Sequence, residues 1–214
     1  ISVRLVGSEM CIRDRDNSSR ELPEGSSGYD LAKDIGPGLA KSAVAVSVNG
    51  VQRDLHDVIE GDASVSIITI DSDEGIEIMR HTLTAQVLAR AIKNLYPKSK
   101  LAIGPTIDDG FYYDVESEKS ISSDDLSKIE DEMKKIIKTK SSITKKLVSK
   151  SEALKVFKEK KESYKEIIVN ESKQKDNFQL YYQDDKKFVD LCRGPHLPNL
   201  EFIGSFKLTK VSGA

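Results

Sequence analysis

Three side chains near the end of the sequence have types and spacing that could support chemistry. Asp190, Cys192 and His196 lie within a stretch of seven residues. Successive side chains of a strand point to opposite faces, so Asp190 and Cys192 are predicted to share one face. The Gly-Pro pair that follows bends the chain and could return His196 toward that face. A carboxylate, a thiol and an imidazole together could bind zinc, orient a water molecule or hydrogen-bond a polar ligand.

A zinc site would need another ligand, because this spacing does not match a closed structural site with four ligands. His81 is the candidate, since the sequence has only three histidines and His56 has no visible partner. The alternative is a buried cysteine beside a hydrogen-bonded histidine. A lone histidine on an apolar helix is likewise more often structural than catalytic, so both interpretations stay open for His81.

The composition excludes several classes of protein. With 214 residues, 38% hydrophobic and 32% charged, the chain can form one large or two modest domains and is not globally disordered. No apolar run approaches the roughly 20 residues that span a bilayer. Two distant cysteines, Cys11 and Cys192, suggest no disulfide framework, so we expect a reducing, cytoplasmic location. A net charge of −2 means that nucleic-acid binding would depend on local patches, such as the eleven lysines of residues 134–161. A solvated helical face is the other interpretation of those lysines.

The elements that position these residues begin after an atypical leader. We predict that residues 1–20 are a foreign or disordered segment, with a strand followed by a polar linker as the alternative. Residues 21–71 predict a small β-grasp domain, with a helix over 29–35 and strands over 43–48 and 64–70. The Asn49-Gly50 pair predicts a hairpin turn. The Gly36-Pro37-Gly38 cluster ends the helix and has no lysine for a phosphate-binding loop.

Residues 72–214 predict a second, α+β domain with a central antiparallel sheet and flanking helices. Apolar periodicity predicts one helix over residues 76–95 and others over 124–138 and 149–160. A further helical turn opens at residues 162–165. Strands are predicted at 101–105, 110–115, 143–148, 178–183 and 187–191, with a turn at Asp184-Asp185, and a strand-like segment at 202–211.

Several ordered motifs resemble a known family. The segment DIGPGLAK at residues 34–41, followed by VNG at 48–50, resembles the TGS domain that begins bacterial threonyl-tRNA synthetases. The segments LAIGP (101–105), GFYYD (110–114), SYK (163–165) and VDLCRGPH (189–196) resemble the editing domain that follows it. The last segment, FKLTKVSGA at 206–214, resembles the stretch that precedes the catalytic core of that enzyme.

The resemblance implies a ligase that uses ATP to join threonine to its tRNA, with this sequence as the amino-terminal part. ATP, Mg²⁺ and a Zn²⁺ ion would belong to a class II core beyond residue 214, which would also form a homodimer. The editing domain would hydrolyse serine that was esterified in error to the tRNA. Serine lacks one methyl group of threonine, and one such group gives only about 10–200-fold discrimination.

Residue roles follow from the same resemblance. His81 and Lys165 would assist attack of water on the ester without a metal, and Tyr113 would align it. The residues that would bind the substrate are Asp190, Cys192, His196, Gln86 and Arg193.

Two departures from the family pattern affect these roles. The family has two histidines four residues apart on the first helix of the editing domain, whereas here Gln86 follows His81 by five. Either one residue is inserted, or the register differs and Thr82 takes the first position. Glutamine can hydrogen-bond but cannot act as a base. In addition, the leader replaces the opening strand of the TGS sheet, leaving an edge that residues 1–6 could fill by accident.

These departures leave alternatives to an active hydrolase. One is an editing-inactive module that grips the tRNA acceptor end through the lysine-rich helices and the Arg193 loop. Another is a free-standing editing factor. A third is the zinc site at His81, Cys192 and His196. In each case the expected partner is tRNA and no membrane is involved.

Overall fold

The computed structural model describes residues 9–13, 19–183 and 188–213. Its contacts divide the chain into two compact units. The first unit comprises Ile1–Ile78 with Gly194–Pro198, and the second comprises Met79–Arg193 with Asn199–Ala214.

The first unit is a mixed five-stranded sheet with helices packed against it. The helices are α1 (Gly28–Ile35) and α2 (Pro37–Ser42). The strands are β1 (Glu9–Arg13), β2 (Ser19–Pro23), β3 (Ala43–Val48), β4 (Val51–Asp54) and β5 (Ala63–Thr69). The spatial order is β2-β1-β5-β3-β4, and β1 pairs with β5 in parallel while the other pairs are antiparallel. A helix on a small mixed sheet confirms the predicted β-grasp fold.

Local sequence explains why these elements begin and end where they do. Ser27 caps α1 in a capping box: its hydroxyl accepts from the Asp30 amide, and the Asp30 carboxylate accepts from the Ser27 amide at 2.8 Å. Asn49 and Gly50 both have positive φ, as a tight hairpin between β3 and β4 requires. Leu31 on α1 and Val46 on β3 are fully buried in the shared core.

Part of the leader is ordered as a strand, which was the alternative interpretation of this segment. Residues 9–13 form β1 between β2 and β5, and Met10 and Ile12 are buried in the core. The reason is the alternation of these two residues with exposed Cys11, which points both apolar side chains to the inner face. The suggested edge filling by residues 1–6 lies outside the described residues.

The second unit has a three-stranded antiparallel sheet flanked by helices. Its helices are α3 (Asp73–Thr82, which begins before Met79), α4 (Ala89–Leu95), α5 (Leu126–Lys138), α6 (Lys150–Lys160) and α7 (Ser163–Glu171), with a π-helical turn at Leu83–Leu88 and 3₁₀ turns at Ser123–Asp125 and Leu200–Phe202. Its strands are β6 (Lys100–Leu101), β7 (Thr106–Ile107), β8 (Gly110–Phe111), β9 (Val115–Glu116), β10 (Ile143–Val148), β11 (Phe178–Gln183) and β12 (Val189–Leu191).

The sheet order β10-β11-β12 confirms the predicted α+β class. Two short hairpin-like pairs, β6 with β9 and β7 with β8, stand beside it. The largest core cluster joins α4 and the π-helical turn to α5, with Val87, Ile92, Met133 and Tyr181 all buried. This core fixes the helix that carries His81 and Gln86 against the strands that carry Asp190 and Cys192.

The predicted helix over residues 76–95 is confirmed, with a π-helical turn inside it. Other predictions for this unit are wrong. The strands predicted at 101–105 and 110–115 are instead the four two-residue strands β6 to β9, because the backbone between them is irregular. The strand-like segment 202–211 is irregular after its 3₁₀ turn, because the buried Glu130 carboxylate, rather than a neighbouring strand, accepts the Leu208 amide at 2.9 Å. The predicted turn at Asp184-Asp185 lies outside the described residues.

Candidate functional site

Lys165 is the centre of a buried polar cluster in the second unit. It lies in the first turn of α7 and is only 5% exposed. Its Nζ atom is 2.8 Å from Asp190 Oδ1 on β12 and donates to the Tyr113 hydroxyl at 3.5 Å. A buried ammonium group is stable only when an opposite charge compensates it, and Asp190 supplies that charge. Three of the residues singled out by sequence therefore meet here.

Tyr113 is held as a neutral phenol. Burial raises its pKa far above the ordinary value, and the charges of Asp190, Cys192 and Glu162 raise it further. Gly104 allows the ring to lie there, because a Cβ at residue 104 would be 2.3 Å from Tyr113 Cδ2. A neutral phenol can donate a hydrogen bond to a substrate oxygen while its own oxygen accepts from Lys165.

His81 and Cys192 form a second pair. His81 is in the last turn of α3, and its Nε2 atom is 3.0 Å from Cys192 Sγ, which follows β12. The Cys192 amide donates to the Gln179 carbonyl of β11, which extends the strand pairing to this residue. An imidazole in this position can accept a proton from a water molecule near neutral pH.

Gln86 lies in the π-helical turn. The Ala89 amide donates to the Thr84 carbonyl, five residues earlier, so residues five apart stack here as residues four apart do in an α-helix. Gln86 therefore occupies the position one turn after His81. This geometry favours an inserted residue over a shifted register with Thr82 in the first position.

A second buried ion pair was not predicted from the sequence. Glu162 Oε1 is 2.6 Å from Lys93 Nζ, and Glu162 Oε2 accepts from the Leu101 amide at 3.3 Å. Glu162 immediately precedes α7, so this pair holds the helix start that carries Lys165. The only signal in the sequence was an acidic residue three positions before Lys165, which is too common to single out.

A small cavity adjoins these two ion pairs. Its volume is about 70 Å³, enough for a few water molecules or a small polar group. The polar lining is Lys93, Lys160, Glu162, Lys165 and Asp190, and the apolar lining is Leu101, Phe157, Phe188 and Val189. This cavity has a largely apolar wall with the charged groups of Lys165 and Asp190 at its edge, and it could admit the water that a hydrolysis needs.

Two family models match separate parts of the chain. Residues 12–69 match the TGS domain, and residues 179–214 match the threonyl and alanyl tRNA synthetase second additional domain. The chain has the domain architecture of the amino-terminal region of threonyl-tRNA synthetase. The TGS and editing domains support a role in tRNA binding and editing, and they place the chain in an aminoacyl-tRNA synthetase context.

The family matches cover part of the candidate site. Asp190 and Cys192 lie inside the matched part of the editing domain, whereas His81, Tyr113 and Lys165 lie between the two matched stretches. Within the second unit these five residues form two groups. Lys165 contacts Asp190 and Tyr113, and His81 contacts Cys192. Their roles remain predictions.

The last two predicted residues differ in their surroundings. Arg193 is exposed at the end of the second unit. His196 is buried, belongs by its contacts to the first unit, and donates its backbone amide to Asp54 Oδ1 at 2.8 Å. The zinc alternative at His81, Cys192 and His196 remains a prediction. No helix in the described part of the chain is both long and apolar enough to cross a membrane.

Proposed function

We propose that this chain hydrolyses serine esterified in error to threonine tRNA, and that the second unit carries the site. The observation that supports this most is the buried Lys165 ammonium group between Asp190 and Tyr113. Ester hydrolysis passes through a tetrahedral oxyanion, and preorganised donors in a dry site stabilise such a charge strongly. Lys165 and the neutral Tyr113 hydroxyl are two such donors.

His81 would act on the attacking water. With Gln86 one turn later, His81 is the only residue of this helix segment that can take a proton near neutral pH. Cys192 would hold the imidazole ring through the 3.0 Å contact. Asp190 would bind the amino or hydroxyl group of serine while it neutralises Lys165.

Deacylation of seryl-tRNA by the purified chain tests the proposal. We expect His81→Ala and Tyr113→Phe each to slow turnover about 10²-fold, since one acid–base group or one oxyanion donor contributes about that much. Lys140→Ala is the control, because Lys140 is exposed and pairs only with exposed Glu201. Turnover that survives both substitutions, or none in the unaltered chain, would contradict the proposal.

A second candidate is a tRNA-binding module without turnover, and two observations favour it. Gln86 stands where the family has a histidine. On and just after α6, Lys155, Lys158, Lys160 and Lys161 are exposed and make no ion pair with any described residue.

Salt dependence separates the two candidates. The slope of log affinity against log salt concentration reports the number of phosphate contacts. If these four lysines contact phosphates, replacing all four with glutamine should reduce that slope by the equivalent of up to about four contacts. Lys134 and Lys135 are the matched controls, since both are exposed on a neighbouring helix but paired with acidic side chains. Binding without deacylation would support the module.

The family also leads us to propose the activity of a longer protein. It would join threonine to tRNA with ATP and Mg²⁺ in a separate, zinc-containing core that also forms the dimer. Metal analysis of this chain addresses the zinc alternative: stoichiometric zinc would support it, and its absence after purification with zinc would contradict it.

A further inference from the structure

A buried network of amide groups lies under the π-helical turn and is not part of the proposed chemistry. Arg90 Nη1 donates to Gln183 Oε1 at 2.6 Å, and Gln183 Nε2 donates to the Gln86 carbonyl oxygen at 2.7 Å. The same Nε2 atom lies 3.5 Å from Gln86 Oε1. Gln86 and Gln183 are completely buried and Arg90 is 8% exposed.

The network allows only one orientation of the Gln86 amide. Arginine can only donate, so the atom of Gln183 that faces Arg90 must be its oxygen. The nitrogen of Gln183 then faces Gln86, and the side-chain atom of Gln86 nearest to it must be an oxygen. Reversing the Gln86 amide would place two donors against each other. Gln86 Nε2 is thus left as the last donor in this chain of hydrogen bonds.

That donor has no partner among the described residues. Gln86 Nε2 is buried and makes no hydrogen bond. A buried donor without an acceptor destabilises the folded state, and such groups are rare unless a ligand or water completes them. Gln183 donates to the backbone carbonyl of residue 86, so an apolar side chain at this position would leave the network intact. The unpaired Gln86 Nε2 atom therefore destabilises the fold without being needed for the network.

The strand register places Gln86 near the site. Asp190 pairs with Tyr181 on β11, so Gln183, two residues further along β11, shares a face with Asp190. Cys192 lies two residues further along β12 in the other direction. His81 contacts Cys192 and Gln86 contacts Gln183, so the helix crosses this face with Asp190 between the two contacts.

We infer that Arg90 and Gln183 are positioning residues that fix the Gln86 amide with its NH₂ group as a hydrogen-bond donor to an acceptor oxygen of the bound ester. The inference rests on the proposed function and adds to it. The residue that replaces a histidine is a fixed donor for substrate rather than a lost base. The substrate class is an aminoacyl ester of the tRNA terminal adenosine, and the contact is to one of its carbonyl or hydroxyl oxygens.

Binding of a stable substrate analogue tests this, with serine joined by an amide to 3′-amino-3′-deoxyadenosine. Gln183→Glu keeps the shape and the bond from Arg90 but cannot donate to Gln86, so the Gln86 amide should turn and give its NH₂ group to Glu. We expect this variant and Gln86→Leu each to bind the analogue about tenfold more weakly, as loss of one hydrogen bond predicts. The loss of the 2.7 Å bond to the Gln86 backbone carbonyl is common to both backgrounds and cancels in the comparison, so Gln183→Glu should weaken binding less in the Gln86→Leu background than in the unaltered chain.

The double-mutant cycle distinguishes positioning from a general structural role. A merely structural Gln183 would weaken binding equally with and without Gln86, and that result would overturn the inference. Unchanged binding in both single variants, when both melt at the same temperature as the unaltered chain, would also overturn the inference. The same holds if the unaltered chain does not bind the analogue. If the analogue binds with the expected cycle but seryl-tRNA is not hydrolysed, the inference stands and the proposed hydrolysis fails.

Discussion

The two units of this chain bury different kinds of side chains. Among the described residues of the first unit, the buried polar side chains are those of Ser27 and His196. In residues 79–193 the buried polar and charged side chains are Thr82, Thr84, Gln86, Arg90, Ser99, Glu130, Ser141, Glu162, Lys165, Gln183 and Asp190. Burial of an unpaired charge or amide opposes folding, so such residues persist where they do something other than fill a core.

This difference indicates that the first unit contributes mainly stability, whereas the second contributes both stability and chemistry. The β-grasp unit is held by apolar contacts between α1 and its sheet, and its polar groups form caps and turns. The second unit holds its polar residues through the buried ion pair Lys165–Asp190 and the partly buried ion pair Lys93–Glu162. Substitutions in the apolar core of residues 9–78 should therefore change stability alone, whereas substitutions of the buried polar residues in the second unit should change stability and function together.

The largest expected effect is that of Asp190→Ala. It leaves the Lys165 ammonium group buried without its carboxylate, which destabilises by about 3–5 kcal/mol. Urea denaturation of the second unit and the rate of seryl-tRNA deacylation should both report the loss. Glu201→Ala breaks the exposed pair with Lys140 and should cost less than about 1 kcal/mol. If Asp190→Ala costs no more than that control, the contrast between the units is wrong.

Leu31→Ala should be the largest change confined to the first unit. Leu31 is fully buried on α1, and its truncation to alanine should destabilise by about 2–5 kcal/mol through the cavity it leaves. We expect an earlier unfolding transition for this unit by differential scanning calorimetry. Deacylation below that transition should stay unchanged. A loss of deacylation there would show that the two units do not separate stability from chemistry.

The sequence predicted the elements that depend on local patterns. The strands at residues 43–48, 143–148 and 178–183 match their predicted bounds, because each is a run of suitable residues between turn or capping signals. The helix predicted over residues 149–160 is α6, and Ser149 is its N-cap. Such signals act within a few residues, so a single sequence contains them.

What the sequence did not predict depends on distant partners. The π-helical turn is supported by Gln183, which is 97 residues away from Gln86. The five-residue spacing of His81 and Gln86 raised the question, but only the hydrogen bonds across the turn answer it. Likewise, Glu130 on α5 captures the amide of Leu208, 78 residues later, and prevents a strand there. The Lys93–Glu162 pair had no local signal at all.

Gly104→Ala should produce a smaller but more informative effect. The added Cβ would lie 2.3 Å from the Tyr113 ring and 2.7 Å from Thr84 Cγ2, so the ring must leave its present position beside Lys165. We expect about 1–3 kcal/mol of destabilisation and slower deacylation with little change in tRNA affinity. Gly204→Ala in the same unit is the matched control, since its Cβ would meet nothing within 4 Å. Equal deacylation rates for the two variants would show that Tyr113 takes no part in the reaction.

The smallest effect is expected at the cap of α1. Ser27→Ala removes one half of the capping box and should cost about 1 kcal/mol without changing deacylation. The hydrogen bonds from the Ser27 side chain and backbone hold the pKa of Asp30 below its ordinary value. A lowered pKa in the folded state means that Asp30 stabilises the fold above its unfolded pKa, and that this contribution is lost as the pH falls through the folded value.

Ser27→Ala removes the largest cause of that lowered pKa. The stability of the first unit should therefore depend less steeply on pH in the acidic range for the variant than for the unaltered chain. Thermal unfolding at a series of pH values below 5 measures this slope. An equally steep dependence in both proteins would mean that the pKa of Asp30 is set by its other neighbours, and that the Ser27 cap contributes nothing to the acid stability of this unit.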